Sequence, residues 1–250
     1  MSSILITGAN RGIGLEFVRQ LASSKEGKWK YVFAACRNPE KAEELKQMAA
    51  SYSSVKLVEL DVTSDATIET AVNQVSSVVG DKGLNVVINN AGIFGSQESN
   101  SLDKLSRKGL LEVFDVNAAG ALMVTQKFLP LLKQGAAASK VSGFSFYRGG
   151  IYNITTGVAS IADNTSGRMY ALRLSKVALN MITKSLSVDL KADNILAIGL
   201  VPGSVQTDMG GSNAKLTVKD CVSMLLKVME NAGEKESGEA VNYKGEIFPY

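Results

Sequence analysis

Short apolar runs alternate with helical periodicities along most of the chain. Six runs have the pattern of buried strands, and they occupy residues 4–6, 31–36, 55–60, 85–89, 151–154 and 195–201. Between them, apolar residues recur at three- and four-residue intervals, which is typical of amphipathic helices. A weaker alternation at 238–245 predicts a last edge strand. This order predicts one α/β domain, with a doubly wound, mostly parallel sheet of about seven strands and helices on both faces.

Three stretches between residues 102 and 190 affect the element boundaries. Residues 102–132 keep a helical spacing of apolar positions throughout, which predicts one long helix. Residues 135–150 are rich in Gly, Ala and Ser, which favours a surface loop. A further helical pattern at 168–190 predicts the helix that precedes the sixth strand.

A glycine-rich segment follows the first apolar run. Residues 7–14 contain Gly8, Gly12 and Gly14 and lead directly into a helical pattern. Such a turn lets backbone N–H groups meet a pyrophosphate at the positive end of the helix, so a nucleotide is the expected ligand. The spacing is G-x-x-x-G-x-G rather than G-x-G-x-x-G, and a turn that serves only strand–helix packing stays an alternative.

Length and composition suit one soluble domain. The 250 residues are 45% hydrophobic and carry a formal net charge of +3, without a Lys/Arg-rich tract. No apolar run approaches the ~20 residues that span a bilayer. We therefore expect neither nucleic acid nor a membrane as partner, and a cytoplasmic location. Cys36 and Cys221 lack metal or redox spacing, which fits a reducing compartment.

The sequence contains no histidine. Acid–base chemistry near neutral pH must therefore use Tyr, Lys, carboxylates, Cys or water. Metal sites built on imidazole are excluded, and no metal site is predicted.

Polar residues follow the ends of successive strands. The second strand ends at Arg37 rather than at the carboxylate that accepts the ribose hydroxyls of NAD. Arg37 and Arg11 offer guanidinium groups suited to a ribose 2′-phosphate, which favours NADP, although each could also be a solvated surface charge. Asp61-Val62 and residues 89–92 follow the third and fourth strands, at the edge where ligands bind, and each could also be turn chemistry.

These segments, with Asn117, Ser175-Lys176 and Pro202-Gly203, resemble the short-chain dehydrogenase/reductase family nearly end to end. Residues 160–164 and 175–180 look closest to its sniffer-type carbonyl reductases and C-factor-like members. The resemblance implies a Rossmann fold and hydride transfer between NADP(H) and a small carbonyl or alcohol substrate. The residues and the resemblance together predict cofactor contacts from Gly8, Asn10, Arg11, Gly12, Ile13, Gly14, Arg37, Asp61, Val62, Asn90, Ala91, Gly92, Lys176, Pro202, Gly203, Val205 and Thr207.

The family's catalytic tetrad of Asn, Ser, Tyr and Lys carries over only in part. Asn117 and Lys176 match their positions, and Thr156 stands in place of the serine with a hydroxyl that can still donate to a carbonyl oxygen. The tyrosine expected four residues before the lysine is replaced by Leu172, which has no proton to give. Tyr170 lies six residues before Lys176, about 240° around a continuous helix. Only an irregular helix start would turn its phenol toward the site.

The predicted function is NADP(H)-dependent reduction of a carbonyl compound, with Tyr170 or an ordered water as proton donor. The alternative is a catalytically impaired NADP(H)-binding protein with a sensing or partner-binding role. The resemblance also implies a substrate lid at 203–216, for which a plain surface loop is the alternative, and a homodimer formed through the helices at 102–132 and 168–190.

Overall fold

Eight strands form a single sheet in the computed structural model, which describes residues 2–24 and 28–250. The strands are β1 (Ser2–Thr7), β2 (Trp29–Cys36), β3 (Val55–Glu59), β4 (Val86–Asn89), β5 (Gly150–Ile154), β6 (Leu196–Val201), β7 (Ala240–Asn242) and β8 (Ile247–Phe248). They lie in the order β3-β2-β1-β4-β5-β6-β7-β8, and every neighbouring pair is parallel except β7 and β8. The predicted doubly wound sheet is confirmed.

The predicted number of strands, about seven, is one short. The alternation at 238–245 covers β7, and the chain then turns back into β8, which is too short for a period-two pattern to reveal it. β8 pairs antiparallel with β7 at the sheet edge.

Seven α-helices lie within the described part of the chain. They are α1 (Gly12–Ala22), α2 (Glu43–Ser51), α3 (Asp65–Val79), α4 (Arg107–Phe114), α5 (Gly120–Ala138), α6 (Tyr170–Asp189) and α7 (Val218–Asn231). None of these helices is long and apolar enough to cross a membrane.

Both faces of the sheet are covered, because alternate residues of each central strand enter two separate cores. In β1, Ile4 and Ile6 join the core beneath α1, α2 and α7, while Leu5 joins the core beneath α3 and α5. All of these side chains are fully buried, which explains why the strands read as continuous apolar runs.

The long helix predicted at 102–132 is wrong in its boundaries. α4 begins only at Arg107, a π-helical turn at Asp115–Ala119 separates it from α5, and α5 runs on to Ala138. The loop predicted from residue 135 is therefore also wrong at its start. Gly135 lies inside α5. A methyl group at this position would overlap the Leu84 carbonyl oxygen, so this glycine serves close packing of the helix rather than a turn.

Candidate active site

The glycine turn between β1 and α1 has the backbone that a phosphate site requires. Gly8 and Gly12 have φ angles of 62° and 55°, the left-handed region that favours glycine. A methyl group at Gly14 would overlap the Gly8 carbonyl oxygen and the Asn90 side-chain amide. Gly14 thus serves close packing of the helix start on the turn and on Asn90, while the left-handed backbone at Gly8 and Gly12 is that of a turn suited to a pyrophosphate at the start of α1. Asn10 lies in this turn, and Ile13 lies in the first turn of α1.

The segment after β4 is fastened to the glycine turn by hydrogen bonds. The Thr7 hydroxyl accepts from the backbone N–H groups of Asn90 and Ala91, both at 3.0 Å. The Asn90 amide donates to the carbonyl oxygens of Thr7 at 2.8 Å and Gly8 at 3.1 Å. The predicted residues Asn90 and Ala91 therefore lie against the turn, where the Asn90 side chain braces the backbone.

Two arginines lie at the corner where the turn meets β2. The backbone N–H of Ala9 donates to the Ala35 carbonyl at 3.0 Å, which holds the turn against the end of β2. Arg37 follows that end, is exposed, and makes no side-chain hydrogen bond or ion pair with any residue in 2–24 or 28–250. Arg11 is also exposed but pairs with Asp208 at 2.6 Å.

Asp61 and Val62 follow β3 at the same edge. One oxygen of the Asp61 carboxylate accepts from the Thr63 backbone at 3.0 Å and from the Thr63 hydroxyl at 2.8 Å. This geometry is an Asx-type turn, so the local-turn alternative accounts for that oxygen. Val62 is buried and closely packed against Gly120 at the start of α5. A cofactor contact from either residue stays a prediction.

Asn117 lies in the π-helical turn, and its amide clamps the backbone beside Gly92. Its Oδ1 accepts from Ile93 N at 2.8 Å, and its Nδ2 donates to Ile93 O at 2.9 Å and to the Ser175 hydroxyl at 3.0 Å. The Ser175 hydroxyl in turn donates to the Leu172 carbonyl at 2.8 Å. No separate role is predicted for Ser175 from the sequence, because only the structure connects it to Asn117.

Lys176 is the buried cation of the site. Its ammonium donates to the Ile154 carbonyl at 2.6 Å, and only 8% of the residue is exposed. Burial lowers the pKa of Lys176 to about 8. A methyl group at Gly92 would lie 3.6 Å from Lys176 Nζ and 3.2 Å from Asn117 Oδ1, so this glycine leaves room where the two side chains converge.

Thr156 lies just beyond β5, two residues from the carbonyl that holds Lys176. Its half-buried hydroxyl accepts weakly from the Val158 backbone at 3.4 Å, and it caps the short 3₁₀ turn at Gly157–Ala159. Among residues 2–24 and 28–250, no acceptor takes the hydroxyl proton of Thr156. That proton is available for a carbonyl oxygen.

Leu172, and not a phenol, lies one helical turn before Lys176. It is buried, with 7% of its surface exposed, on the same side of α6 as the lysine. Three residues with left-handed backbone, at positions 167–169, precede the helix, but α6 is continuous from Tyr170 onward. The irregularity thus ends before it could turn Tyr170 toward Lys176. No described residue hydrogen-bonds the Tyr170 hydroxyl, and its role as proton donor stays a prediction.

The segment 203–216 folds back over the glycine turn. Pro202 and Gly203 follow β6, and a bridge between Val205 and Leu216 closes the segment at its base. A methyl group at Gly12 would lie 3.5 Å from the Thr207 side chain, which shows how near the segment comes to the turn. Thr207 therefore lies beside the turn, whereas Gly203 packs against Tyr243 and Val205 is buried. The cofactor contacts predicted from Pro202, Gly203, Val205 and Thr207 stay predictions.

The assembled site combines a phosphate-type turn, two arginines, one buried lysine and one free hydroxyl proton. Within the described residues, no group of three or more Cys, Asp or Glu side chains is placed to hold a metal ion. These groups suit a nucleotide and the stabilisation of negative charge on a substrate oxygen, and Leu172 occupies the position one helical turn before the lysine.

Comparison with known families identifies the class. Residues 2–216 match the family model of the short chain dehydrogenases. The chain therefore belongs to the short-chain dehydrogenase/reductase family of oxidoreductases, as the motifs predicted.

Individual relatives refine this assignment. The carbonyl reductase Sniffer of D. melanogaster is 39% identical, with all of both chains covered and a TM-score of 0.96. An NADPH-bound carbonyl reductase from chicken fatty liver is 37% identical, covering 100% of this chain and 99% of that one, with a TM-score of 0.93. The C-signal protein of Myxococcus xanthus is 36% identical over 167 residues, which cover 67% of this chain and 93% of that protein.

Proposed function

We propose that this chain is an NADP(H)-dependent oxidoreductase that reduces carbonyl compounds through an atypical active site. The observation that carries the proposal is the buried Lys176 ammonium beside Asn117, at the same sheet edge as the glycine turn with its left-handed backbone at Gly8 and Gly12. The Sniffer carbonyl reductase and the NADPH-bound chicken carbonyl reductase support both the reaction and the cofactor. When bound, NADPH supplies the hydride.

The residues at the sheet edge would hold the cofactor by its charged groups. The backbone of Gly8, Gly12 and Gly14 would receive the pyrophosphate at the start of α1. Arg37 and Arg11 would contact the 2′-phosphate, because they flank the corner between the turn and the end of β2.

Arg37→Ala is expected to weaken NADPH binding by about 10-fold and to leave NADH binding unchanged, because only NADPH has the phosphate that the guanidinium would contact. Calorimetric titration with both cofactors measures this. The matched control is Lys82→Ala, which removes an exposed positive charge just before β4, at the amino ends of the strands and so away from the cofactor site. Equal affinity of the parent for both cofactors, or an unchanged preference in Arg37→Ala, would contradict the assignment.

The missing acid decides which carbonyls the site favours. Hydride addition leaves an oxyanion on the substrate, which the Thr156 hydroxyl and the Lys176 ammonium can stabilise. Leu172 cannot protonate it, and the pKa of an unactivated alcohol is about as high as that of water, far above neutrality. Electron-withdrawing groups beside the carbonyl lower that pKa. We therefore infer a preference for activated carbonyl compounds, with water as the final source of the proton.

A second candidate function rests on the same leucine. Leu172 removes the acid while the cofactor edge is retained, which suits a protein that binds NADP(H) for sensing or for contact with a partner. The two candidates differ in one observable property, because only the first transfers hydride to a carbonyl carbon.

We also propose a homodimer, formed through exposed apolar residues of α6 and α4. Leu174, Met181 and Val188 recur every seven residues along one side of α6 and are 51%, 67% and 67% exposed. Leu111 and Phe114 are exposed on α4, which packs against α6. An apolar stripe of this length on a water-soluble domain is typical of a protein–protein contact.

Met181→Asp is expected to convert the dimer to a monomer at micromolar concentration, because it places a charge in the middle of the stripe. Light scattering gives the molar mass. Met224→Asp changes an exposed methionine of α7, on the opposite face of the sheet, and should leave the mass unchanged. A parent that is monomeric at this concentration would refute the proposed dimer.

A further inference from the structure

Arg11 is already engaged by an acidic residue of the 203–216 segment. Its guanidinium donates to the Asp208 carboxylate at 2.6 Å, although the two residues lie 197 positions apart in sequence. Both side chains are largely exposed, at 66% and 77%, and neither makes another side-chain hydrogen bond or ion pair within residues 2–24 and 28–250. The contact joins the glycine turn to the segment that covers it.

The position of Asp208 is fixed by its own turn. The Thr207 hydroxyl accepts from Gly210 N at 3.0 Å, and the Thr207 carbonyl accepts from Gly211 N at 2.8 Å. The carboxylate is therefore presented to Arg11 by a closed turn whose neighbour Thr207 lies beside Gly12. Arg37, the other arginine of the corner, has no such partner among the described residues.

We propose that Asp208 competes with the 2′-phosphate of the cofactor for Arg11 and so limits the preference for NADP(H) over NAD(H). This inference rests on the proposed use of NADP(H). A phosphate monoester carries about −1.5 to −2 charges at pH 7, and it repels a carboxylate that shares the same guanidinium. Arg11 must therefore exchange Asp208 for the phosphate when NADP(H) binds. NAD(H) has no 2′-phosphate and leaves the pair intact.

As a consequence, the attachment of the segment 203–216 to the glycine turn depends on which cofactor is bound. With NAD(H), the Arg11–Asp208 contact continues to fasten the segment to the glycine turn. With NADP(H), that fastening is released, while the Val205–Leu216 bridge still closes the segment at its base. Asp208 thus acts as a specificity-determining residue that does not itself touch the reacting atoms.

The experiment uses adenosine fragments, because they separate the phosphate contact from the nicotinamide end. Binding of 2′,5′-ADP and of 5′-AMP is measured by calorimetry at low salt for the parent and for Asp208→Asn. Asp208→Asn should tighten 2′,5′-ADP binding by about 3- to 5-fold, the upper part of the range for an exposed ion pair, and leave 5′-AMP unchanged. In an Arg11→Ala background the same substitution should have no effect, and 1 M salt should abolish the difference.

The matched control is Asp81→Asn, which removes an exposed acidic charge just before β4, at the amino ends of the strands. Weaker binding of 2′,5′-ADP by Asp208→Asn would mean that Asp208 positions Arg11 for the phosphate, which overturns the competition. If Asp208→Asn tightens 5′-AMP binding equally, or if Asp81→Asn gives the same gain, the effect comes from net charge alone. Either result would also overturn the competition.

The proposed function and the competition fail in different ways. A parent that binds 2′,5′-ADP no more tightly than 5′-AMP has no 2′-phosphate site, and both proposals then fail. A parent that prefers 2′,5′-ADP but does not respond to Asp208→Asn keeps the proposed cofactor and loses only the competition.

Discussion

Leu172→Tyr is expected to raise kcat for an unactivated ketone such as acetophenone by about 10²- to 10⁴-fold, the usual contribution of a positioned general acid. Position 172 lies one turn before Lys176 on the same side of α6, so a phenol there would project toward the ammonium. The ammonium would favour ionisation of that phenol and so bring its pKa closer to neutrality. The new hydroxyl would then protonate the oxyanion that the parent must release to water.

The matched control is Leu172→Phe, which introduces the same ring without the hydroxyl. Leu172 is buried, so any repacking that the ring causes will be common to both variants. Steady-state kinetics with NADPH should show the gain in the tyrosine variant alone. A similar gain in Leu172→Phe would contradict this account of the proton donor. The same holds if the parent turns over at an ordinary reductase rate and Tyr170→Phe leaves that rate unchanged.

The second large effect concerns stability. The free energy of unfolding of the parent, relative to that of Lys176→Met, is expected to rise by about 3 kcal/mol between pH 8 and pH 10.5. Burial lowers the pKa of Lys176 from its usual 10.5 to about 8. In this window the unfolded chain keeps the proton that the folded chain has lost, so stability increases with pH. Well below pH 8 both states are protonated, and the relative cost of burying the ammonium stays constant.

Urea denaturation of both proteins across this pH range measures the difference directly. Other groups that titrate at alkaline pH are shared by the two proteins and cancel in the comparison. Lys184→Met alters an exposed lysine of the same helix and should show no comparable rise. A flat difference between the parent and Lys176→Met would show that the ammonium is not buried as described.

The sequence predicted the sheet and its binding edge because both depend on local patterns. Strands buried on two faces are continuous apolar runs, as in β1 and β6, and the glycine turn requires Gly8, Gly12 and Gly14 whatever surrounds them. The placement of Leu172 on the same side of α6 as Lys176 was also predictable, since it requires only that the helix be continuous between the two residues.

Features set by distant or irregular contacts could not be predicted in this way. A π-helical turn contains less than one residue more than an α-helical turn. The apolar spacing of 102–132 therefore did not distinguish the π-helical turn that holds Asn117 from the helices on either side. The contact between Arg11 and Asp208 depends on how the 203–216 segment folds back. The hydrogen bond from Asn117 to Ser175 likewise joins separate elements, and no local pattern encodes it.

The central claim is that the chain transfers hydride to a carbonyl although Leu172 occupies the position of the acid. The most direct test follows deuterium from NADPH dideuterated at C4 of the nicotinamide into the alcohol products of trifluoroacetophenone and acetophenone, by mass spectrometry. The parent protein is expected to place deuterium on the carbinol carbon of the trifluorinated product and to label the acetophenone product far more slowly. If no deuterated alcohol forms from either ketone while the protein is saturated with NADPH, the claim of a reductase is contradicted. The alternative function, NADP(H) binding without hydride transfer, is then the correct one.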